Sequence, residues 1–531
     1  MLLAEKAGRR KTGRAGKPGP WWDTLLAGLA LAALSYGAMR FVQQRGYTLY
    51  YGDAAAHLNI ARRVLDSRTP GFDQLGTVWL PLPHLLMAPL AKDPHLWQTG
   101  LAGAIPSAIC FVIAGAFLFA AARTAFSSRA AGAAAAALLA LNPNLLYLQS
   151  TPMTEPVFLA FFAGLLYCTV RFERTQSLAM VIGAGLAALA ATLTRYEGWF
   201  LVPFTSAYFL IAARRRRLLV AALFTCLAVL GPLAWLAHDG YYSGDLLAFY
   251  HGPHSAKAIQ GAATYPGHRN WALAMLQFRT AASLCLGPAL LWMGLLGTLA
   301  IAAKRALWPL TLLALPPAFY ILSLHSGGTP IFVPVLYPFS YYNTRYGLAL
   351  LPLAAFGSAA LASWAPMRWR AAAALAVVAI GAGPWLLDPR LESCVTWKES
   401  EINSHARRAW TAEAADFFRA NYEPGAGIFT TFGDVTGVFQ ASGIPLRETL
   451  TWDNWPHWPA AVARPDLFLR EEWAVAFGGD PVQTAINRAF LRGPRYTLQK
   501  TIVVKGAPVL EIYRRDSQRG WLPNPNENSI H

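Results

Sequence analysis

Long apolar segments follow one another through most of the chain, and they restrict its fold more than any other feature. A helix needs about 20 apolar residues to cross the hydrocarbon core of a bilayer. Hydrophobic residues make up 55% of the 531 residues and charged residues 14%, whereas a soluble domain is about a quarter charged. The sequence therefore predicts a polytopic α-helical membrane protein with about eleven transmembrane helices. The predicted spans are 23–42, 99–122, 130–148, 156–171, 178–193, 198–213, 218–237, 281–303, 306–324, 344–363 and 371–387.

The formal net charge of +17 is concentrated in short basic runs that adjoin these apolar segments. Lys and Arg are enriched on the cytoplasmic side of membrane proteins. A cytoplasmic N-terminus puts a basic run at each predicted inner connection, which indicates a multi-pass protein of the bacterial inner (plasma) membrane. Because the basic residues follow the membrane, we expect no nucleic-acid partner. The runs comprise Lys6, Arg9, Arg10, Lys11, Arg14 and Lys17; Arg123 and Arg129; Arg171 and Arg174; Arg214 to Arg217; Lys304 and Arg305; and Arg368 and Arg370.

This topology divides the chain into three predicted regions. Residues 1–22 form a basic cytoplasmic N-terminus, residues 23–387 form the transmembrane region, and residues 388–531 form an extracytoplasmic domain. Strand-like and helix-like patterns alternate in the last region, which predicts a small α/β domain with a helix at Pro481–Leu491. Its predicted strands are Gly427–Phe432, Trp473–Phe477, Thr497–Val504 and Pro508–Tyr513. The predicted outer connections are 43–98, 238–280 and 325–343.

The first outer connection contains Asp53 and, four residues later, His57. The stretch 53–66 has the pattern of a helix, so these two side chains share one face of it. In one interpretation Asp53 is a general base that takes a proton from an attacking acceptor. In the other it is the N-cap of the helix, a common position for Asp. The two roles are compatible.

A second acidic residue, Glu155, lies in the short turn before the predicted span 156–171. A Glu that follows Thr near a helix start often stabilises the first turn. The turn is short, so the carboxylate must remain near the outer surface of the helix bundle. There it can share an acceptor or a metal ion with Asp53.

Two arginines, Arg195 and Arg345, lie at the outer ends of predicted spans. An arginine beside apolar helices is retained only when it has a partner. For Arg195 that partner is either Glu197 or a lipid headgroup, or else the arginine binds a phosphate, for which guanidinium geometry is suited. Arg345 poses the same alternatives. Two arginines and two carboxylates on one side of the membrane predict a site for an anionic, lipid-linked substrate.

The order and sidedness of these residues resemble the GT-C superfamily of integral-membrane glycosyltransferases, and in particular bacterial proteins similar to protein mannosyltransferases and aminoarabinose transferases. Asp53 matches the acidic residue of their first outer loop. The remaining matches are the proline-rich segment Trp79–His84, the turn Thr154-Glu155-Pro156, and Arg345 at the start of a late span.

The chain departs from relatives of this kind in two ways. Asp53 lacks the Asp-Glu pair of protein mannosyltransferases, and the tail lacks the Trp-Trp-Asp type of motif found in oligosaccharyltransferases. The segment Trp21-Trp22-Asp23 lies on the predicted cytoplasmic side and does not serve that role. Transfer of whole oligosaccharides to asparagine is therefore not expected.

The resemblance implies a polyprenyl-phosphate-sugar-dependent glycosyltransferase of EC 2.4 type. Such an enzyme moves a sugar to a protein, lipid or glycan acceptor at the outer face of the membrane, with inversion. It implies catalytic roles for Asp53 and Glu155. The lipid chain is expected in a groove between spans, partly covered by 238–280, where His251, His254 and Lys257 are either donor contacts or solvated loop residues. The implied donor-binding residues are Arg345, Arg195, His84, His254 and Tyr346, and His57 and Glu197 are implied as acceptor or support residues.

Other functions make different demands on the sequence. A transporter or flippase of a lipid-linked sugar is expected to carry ionisable groups near the membrane midplane, whereas the predicted spans are almost free of charge at their centres. A non-catalytic lipid-binding scaffold needs the arginines but not Asp53. Asp53, His57, Glu155 and a loop histidine could ligate a divalent cation such as Mg²⁺ or Mn²⁺, but the sequence does not require a metal and no ligand is assigned.

Overall fold

A computed structural model describes residues 22–516 apart from 262, 304–306 and 432. The basic residues from Lys6 to Lys17, Trp21, Lys304 and Arg305 lie outside the described residues, as does Phe432 at the end of the first predicted strand.

Helices account for most of the described chain. The first eleven are α1 (Trp22–Gln44), α2 (Gly52–Arg63), α3 (Leu82–Ala91), α4 (Pro94–Thr99), α5 (Leu101–Phe126), α6 (Arg129–Ala140), α7 (Pro143–Leu148), α8 (Glu155–Thr175), α9 (Leu178–Thr192), α10 (Glu197–Ala212) and α11 (Arg217–Ser243). The others are α12 (Ala248–His251), α13 (Ala256–Gln260), α14 (Trp271–Leu286), α15 (Pro288–Ala303), α16 (Leu307–His325), α17 (Leu351–Trp364), α18 (Arg370–Leu387), α19 (Val395–Asn421), α20 (Thr436–Ser442), α21 (His457–Ala463), α22 (Pro465–Phe468) and α23 (Pro481–Arg492). Short 3₁₀ helices occupy Phe72–Leu75, Thr344–Leu350, Met367–Trp369, Leu391–Ser393 and Leu446–Glu448.

The predicted multi-pass helical architecture is confirmed. Among the described residues, seven helices are long and apolar enough to cross a membrane, or up to eight when the bent pair α14 and α15 counts as one span. The count of about eleven remains a prediction, because α6 and α9 are apolar but shorter than a full crossing. The central helix is α8, with 83% of its apolar window buried, whereas α1 and α18 have 17% and 22% buried.

Two predicted spans are interrupted in the structure. The segment 130–148 breaks at Asn142-Pro143: the Asn142 side chain accepts a hydrogen bond from the Leu145 N–H, so it caps a new helix, α7, that has proline at its first position. The segment 281–303 lies across α14 and α15, which bend by 109°. Gly287, with φ +78°, and Pro288 produce this bend, because the first adopts the left-handed region and the second starts a helix well.

Several of the predicted inner segments are neighbours in the fold. Asp23 at the start of α1 forms ion pairs with Arg123 (3.4 Å) and Arg129 (2.8 Å). The Gln176 side chain accepts a hydrogen bond from the Arg214 N–H at 2.9 Å, which brings the next two connections together. The start of α1 is thus joined to the first inner connection, and the second inner connection to the third.

The C-terminal part contains a five-stranded sheet with the order β2-β1-β3-β5-β4. Strands β1, β2 and β3 are parallel, while β5 pairs antiparallel with both β3 and β4. Helix α23 occupies the predicted position, whereas β2 and the long helix α19 were not predicted. The strands are β1 (Ile428–Thr430), β2 (Thr449–Leu450), β3 (Trp473–Phe477), β4 (Tyr496–Ile502) and β5 (Leu510–Arg515).

The segment 43–98 and the C-terminal part share one hydrophobic core. Leu58 of α2 and Trp97 of α4 lie in the same buried cluster as Trp410, Phe418 and Phe439. The C-terminal part therefore packs directly on the helix that carries Asp53 and His57.

Candidate active site

Arg345 is the centre of a buried polar cluster where α2, α8 and α19 converge. Its Nη2 donates to Asp53 Oδ2 at 2.5 Å, its Nε to Glu155 Oε1 at 3.1 Å, and its Nη1 to Glu399 Oε1 at 3.3 Å. The Arg345 side chain is 6% exposed. One guanidinium thus joins three carboxylates from three distant parts of the chain.

Arg195 forms a second centre beside the first. Its Nη1 donates to Glu155 Oε1 at 3.1 Å and to Thr154 Oγ1 at 2.6 Å, and its Nε donates to Glu197 Oε1 at 2.8 Å. One of the alternatives for Arg195, an ion pair with Glu197, is therefore present, and Arg195 also donates to the Tyr320 hydroxyl at 2.7 Å. Glu155 bridges the two arginines through one oxygen, while its Oε2 is buried without a hydrogen-bond partner.

Neither carboxylate predicted from the sequence caps its helix. The N-cap of α2 is Tyr51, and Asp53 follows in the first turn without a side-chain capping bond. Glu155 is the first residue of α8, after Thr154 at the N-cap, and this helix also lacks a side-chain cap. The interpretation of Asp53 as the N-cap is wrong, and Glu155 makes no side-chain cap, although both carboxylates lie in the first turn of a helix, near the positive end of its dipole.

Glu399 belongs to this site but was not identified from the sequence. Besides Arg345, its carboxylate accepts the backbone N–H groups of Asn343 (3.0 Å) and Thr344 (2.7 Å) and the Thr344 hydroxyl. It thus satisfies the first N–H groups of the Thr344–Leu350 3₁₀ helix, which have no capping side chain of their own. Burial raises the pKa of Glu399, and Arg345 and the Thr344 hydrogen bonds oppose that rise.

Aromatic rings enclose the Arg345 guanidinium. The rings of Tyr51 and Tyr346 each lie 5.1 Å from its Cζ, within the range of cation–π attraction. Tyr346 also lies 5.4 Å from the Cζ of Arg195 and stacks on Tyr320 at 4.5 Å between ring centroids. The predicted residue Tyr346 is therefore part of the cluster.

A small, partly open cavity of about 30 Å³ lies beside the two arginines. Its lining combines the charged and aromatic residues of the cluster with apolar side chains, the combination that a molecule with a charged head and a hydrocarbon body requires. Its polar lining is Glu155, Arg195, Glu197, Tyr320, Arg345 and Tyr346, and its apolar lining is Phe158, Leu159, Phe162, Pro316, Leu348 and Ala349.

His57 and His84 form a separate buried pair. His57 Nδ1 and His84 Nε2 are 2.9 Å apart, and the His57 ring packs 4.2 Å from Trp79. Burial lowers the pKa of His57 to about 3, with Arg195 and Arg345 adding to the effect, and burial also lowers the pKa of His84. Both rings are therefore neutral at pH 7 and form hydrogen bonds without carrying charge.

The loop histidines are not brought into the cluster. His254 lies against Trp452 of the C-terminal part, with ring centroids 5.7 Å apart. His251 forms an exposed ion pair with Asp245 at 3.0 Å, and the Lys257 ammonium lies 4.7 Å from the ring of Tyr250.

The cluster has an excess of negative charge and no evident metal site. Four carboxylates, Asp53, Glu155, Glu197 and Glu399, surround two arginines. Within the described residues, no group of three or more His, Cys, Asp or Glu side chains could hold a metal ion.

Comparison with known proteins matches part of the chain to a family model. Residues 96–238 match the family model for dolichyl-phosphate-mannose-protein mannosyltransferases. A search of curated proteins gave no match.

Solved structures with the same fold include ArnT from Cupriavidus metallidurans. The apo form of ArnT matches with a TM-score of 0.53, and the form bound to undecaprenyl phosphate with 0.50. Each is 13% identical and covers 89% of this chain and 97% of ArnT. The apo oligosaccharyltransferase from Archaeoglobus fulgidus is 12% identical and covers 86% of this chain and 69% of that protein, with a TM-score of 0.48.

The family match and the ArnT structures confirm the resemblance to GT-C glycosyltransferases. The chain is a multi-pass membrane protein with an ArnT-like fold, and its similarities support a transferase.

Proposed function

We propose that this protein is an inverting glycosyltransferase that moves a sugar from a polyprenyl-phosphate donor to a protein, lipid or glycan acceptor. The observation that carries the proposal is the pairing of Asp53 with Arg345, an arginine that also lines a pocket with apolar walls. The bound undecaprenyl phosphate of ArnT supports the same class of donor, since ArnT shares this fold.

The proposed reaction is a direct displacement at the anomeric carbon. An acceptor oxygen or nitrogen attacks that carbon while Asp53 takes its proton as general base. The bond from the anomeric carbon to the phosphate oxygen breaks, and its electron pair leaves with the polyprenyl phosphate. Arg345 and Arg195 stabilise the negative charge that develops on the phosphate. In-line attack inverts the configuration of the sugar.

The remaining cluster residues support the two arginines in this proposal. Glu155 binds Arg345 and Arg195 through one oxygen, and Glu197 binds Arg195, so both guanidiniums are held beside the pocket. The prenyl chain lies along Phe158, Phe162 and the other apolar lining residues. In this proposal, the buried pair His57 and His84 consists of neutral hydrogen-bonding groups and does not act as phosphate-binding cations.

Membrane orientation follows from the charge pattern of the sequence. The basic inner connections support an orientation in which the cluster lies at the outer face of a bacterial inner membrane. The C-terminal part is then extracytoplasmic and packs over the site through the core that it shares with α2.

Sugar transfer by the purified protein in nanodiscs tests the proposal. Wild type, Asp53→Asn and Arg345→Ala are compared over a panel of polyprenyl-phosphate sugars with candidate acceptors. The control is Asp73→Asn, in the Phe72–Leu75 3₁₀ helix of the same outer segment, where Asp73 accepts a hydrogen bond from Gln74. Loss of a catalytic base is expected to cost about 10²–10⁴-fold in turnover.

We expect wild type and Asp73→Asn to consume one donor, and both site variants to lose turnover. Equal activity of all four proteins refutes the assigned residues. Movement of an intact donor across the bilayer of proteoliposomes, without release of its sugar, supports a flippase in place of the transferase. If the protein binds the donor but neither transfers its sugar nor moves it across the bilayer, with every acceptor class present, the result supports a lipid-binding scaffold.

A further inference from the structure

The Arg345 guanidinium is surrounded by aromatic rings and carboxylates. The rings of Tyr51 and Tyr346 lie within cation–π range of it, and three carboxylates pair with its nitrogen atoms. A phosphate that approaches Arg345 is a fourth anion beside a guanidinium that already pairs with three carboxylates. Like charges within a few ångströms repel strongly in a site of low effective dielectric constant, so one carboxylate must give way.

The three carboxylates are not held equally. The Glu155 and Glu399 side chains are 9% and 3% exposed, whereas the Asp53 side chain is 40% exposed. Glu399 is also fixed by the N–H groups of Asn343 and Thr344, and Glu155 by Arg195. Among the described residues, Arg345 is the one hydrogen-bond partner of the Asp53 carboxylate. Asp53 is therefore the most solvent-exposed of the three carboxylates and the one with the fewest other contacts.

We infer that the donor phosphate displaces Asp53 from Arg345 and thereby frees the base that the reaction needs. This inference rests on the proposed function. In the donor-free protein, Arg345 occupies an oxygen of the carboxylate that is to accept the proton. Once the phosphate takes that N–H group, Asp53 is released toward the acceptor, while Glu155 and Glu399 keep Arg345 in position. Donor binding and activation of the acceptor are thus coupled through one guanidinium.

Glu399 has a specific part in this exchange. It holds Nη1 of Arg345 and the start of the 3₁₀ helix that carries Arg345, so the arginine does not follow Asp53 when the ion pair breaks. It is a positioning residue supplied by α19.

The affinity of the purified protein for polyprenyl phosphate, without a sugar, tests the exchange. Asp53→Asn keeps an acceptor oxygen for Arg345 but removes the competing charge, so it is expected to bind polyprenyl phosphate about five- to tenfold more tightly than wild type. Asp53→Glu keeps the charge and is expected to bind within about twofold of wild type, as is the control Asp73→Asn. Isothermal titration in nanodiscs measures all four dissociation constants.

The result separates this inference from the proposed function. Tighter binding by Asp53→Asn, together with lost sugar transfer, supports the exchange, because a purely structural role of Asp53 predicts weaker binding. Binding by Asp53→Asn that is equal to or weaker than wild type overturns the exchange while the glycosyltransferase proposal stands. No binding of polyprenyl phosphate by wild type overturns both.

Discussion

The buried charges of this protein are tolerated because each has several partners. Burying an ionised group costs several kcal/mol unless hydrogen bonds and opposite charges replace its hydration. Arg345 has three carboxylates and two aromatic faces, and Arg195 has two carboxylates and two hydroxyl groups. This concentration of ionic contacts on two side chains marks a functional centre more clearly than any one ion pair does.

His57 is expected to make the stability of the folded protein depend on pH. Its pKa is about 3 in the folded protein and 6.5 ordinarily, so between these values the unfolded chain binds more protons than the folded one. Stability is therefore full above about pH 6.5 and falls on acidification, by at most about 1.4 kcal/mol per pH unit for this group. Thermal unfolding between pH 7.5 and 5 should show a shallower decline for His57→Gln than for wild type. A steeper or unchanged decline contradicts the neutral assignment.

The sequence identifies most but not all residues of the site. Four residues are recognisable because each carries a charge at the end of an apolar segment, where a charge is costly unless it is paired or functional. They are Asp53, Glu155, Arg195 and Arg345. Glu399 gives no such signal, since it lies in a polar helix beside Lys398 and Glu401. Its nearness in sequence to the last predicted span, 371–387, is the one indication that its side chain can reach the cluster.

At the scale of elements, the site depends on how α19 and the Thr344–Leu350 3₁₀ helix are fixed. Helix α19 contributes Glu399 to the start of the 3₁₀ helix. About two turns further along, Arg407 donates to the Tyr50 carbonyl at 2.8 Å, just before α2 begins. One helix thus sets the distance between the segments that carry Arg345 and Asp53.

Substitution of Gly347 tests how precisely the 3₁₀ helix that carries Arg345 must be positioned. A Cβ at this position would lie 2.5 Å from the Ala281 carbonyl carbon of α14, so Gly347→Ala must push the 3₁₀ helix and Arg345 away. A misplacement of about 1 Å can cost about 10²-fold in rate, and we expect turnover to fall at least about tenfold.

The matched control is Gly383→Ala in α18, where a Cβ meets nothing within 4 Å. It should retain turnover and gain slightly in thermal stability, because alanine favours a helix over glycine. Equal turnover of the two variants, measured as initial rates of sugar transfer, contradicts the role assigned to the 3₁₀ helix.

The sequence predicts where the helices lie better than where they are interrupted or bent. Apolar length identifies the helices, but it does not show that 130–148 divides at Asn142 or that α14 and α15 bend at Gly287. Helix caps and left-handed glycines depend on tertiary contacts as well as on local preference. The two-residue strand β2 is too short to leave a pattern, and its pairing with β1 comes from the surrounding fold.

At the scale of the whole molecule, the C-terminal part and the first outer segment form one unit. Besides their shared hydrophobic core, Arg63 of α2 pairs with Asp453, and Arg68 pairs with Glu471. The side chains of Arg63 and Asp453 are 12% and 16% exposed, so this ion pair is largely removed from solvent.

A double-mutant cycle measures how strongly this contact couples the two parts. For Arg63→Gln and Asp453→Asn we expect a coupling free energy of about 1–3 kcal/mol in thermal or denaturant unfolding, as for buried charge pairs. The control cycle is Asp416 with Arg419, an exposed pair in α19 (69% and 54% exposed), where about 0–0.5 kcal/mol is expected. Equal coupling in the two cycles contradicts a tight contact between the parts.

In the proposed function, the Arg345 cluster receives the phosphate of a polyprenyl-phosphate sugar, with the prenyl chain in the adjoining pocket. A cryo-EM structure of Asp53→Asn in nanodiscs with such a donor tests this mode of binding. We expect a phosphate on the Arg345 guanidinium, a chain along Phe158 and Phe162, and an anomeric carbon that faces the side chain of residue 53 across the space left for an acceptor. A donor bound elsewhere, with the cluster unchanged, contradicts it.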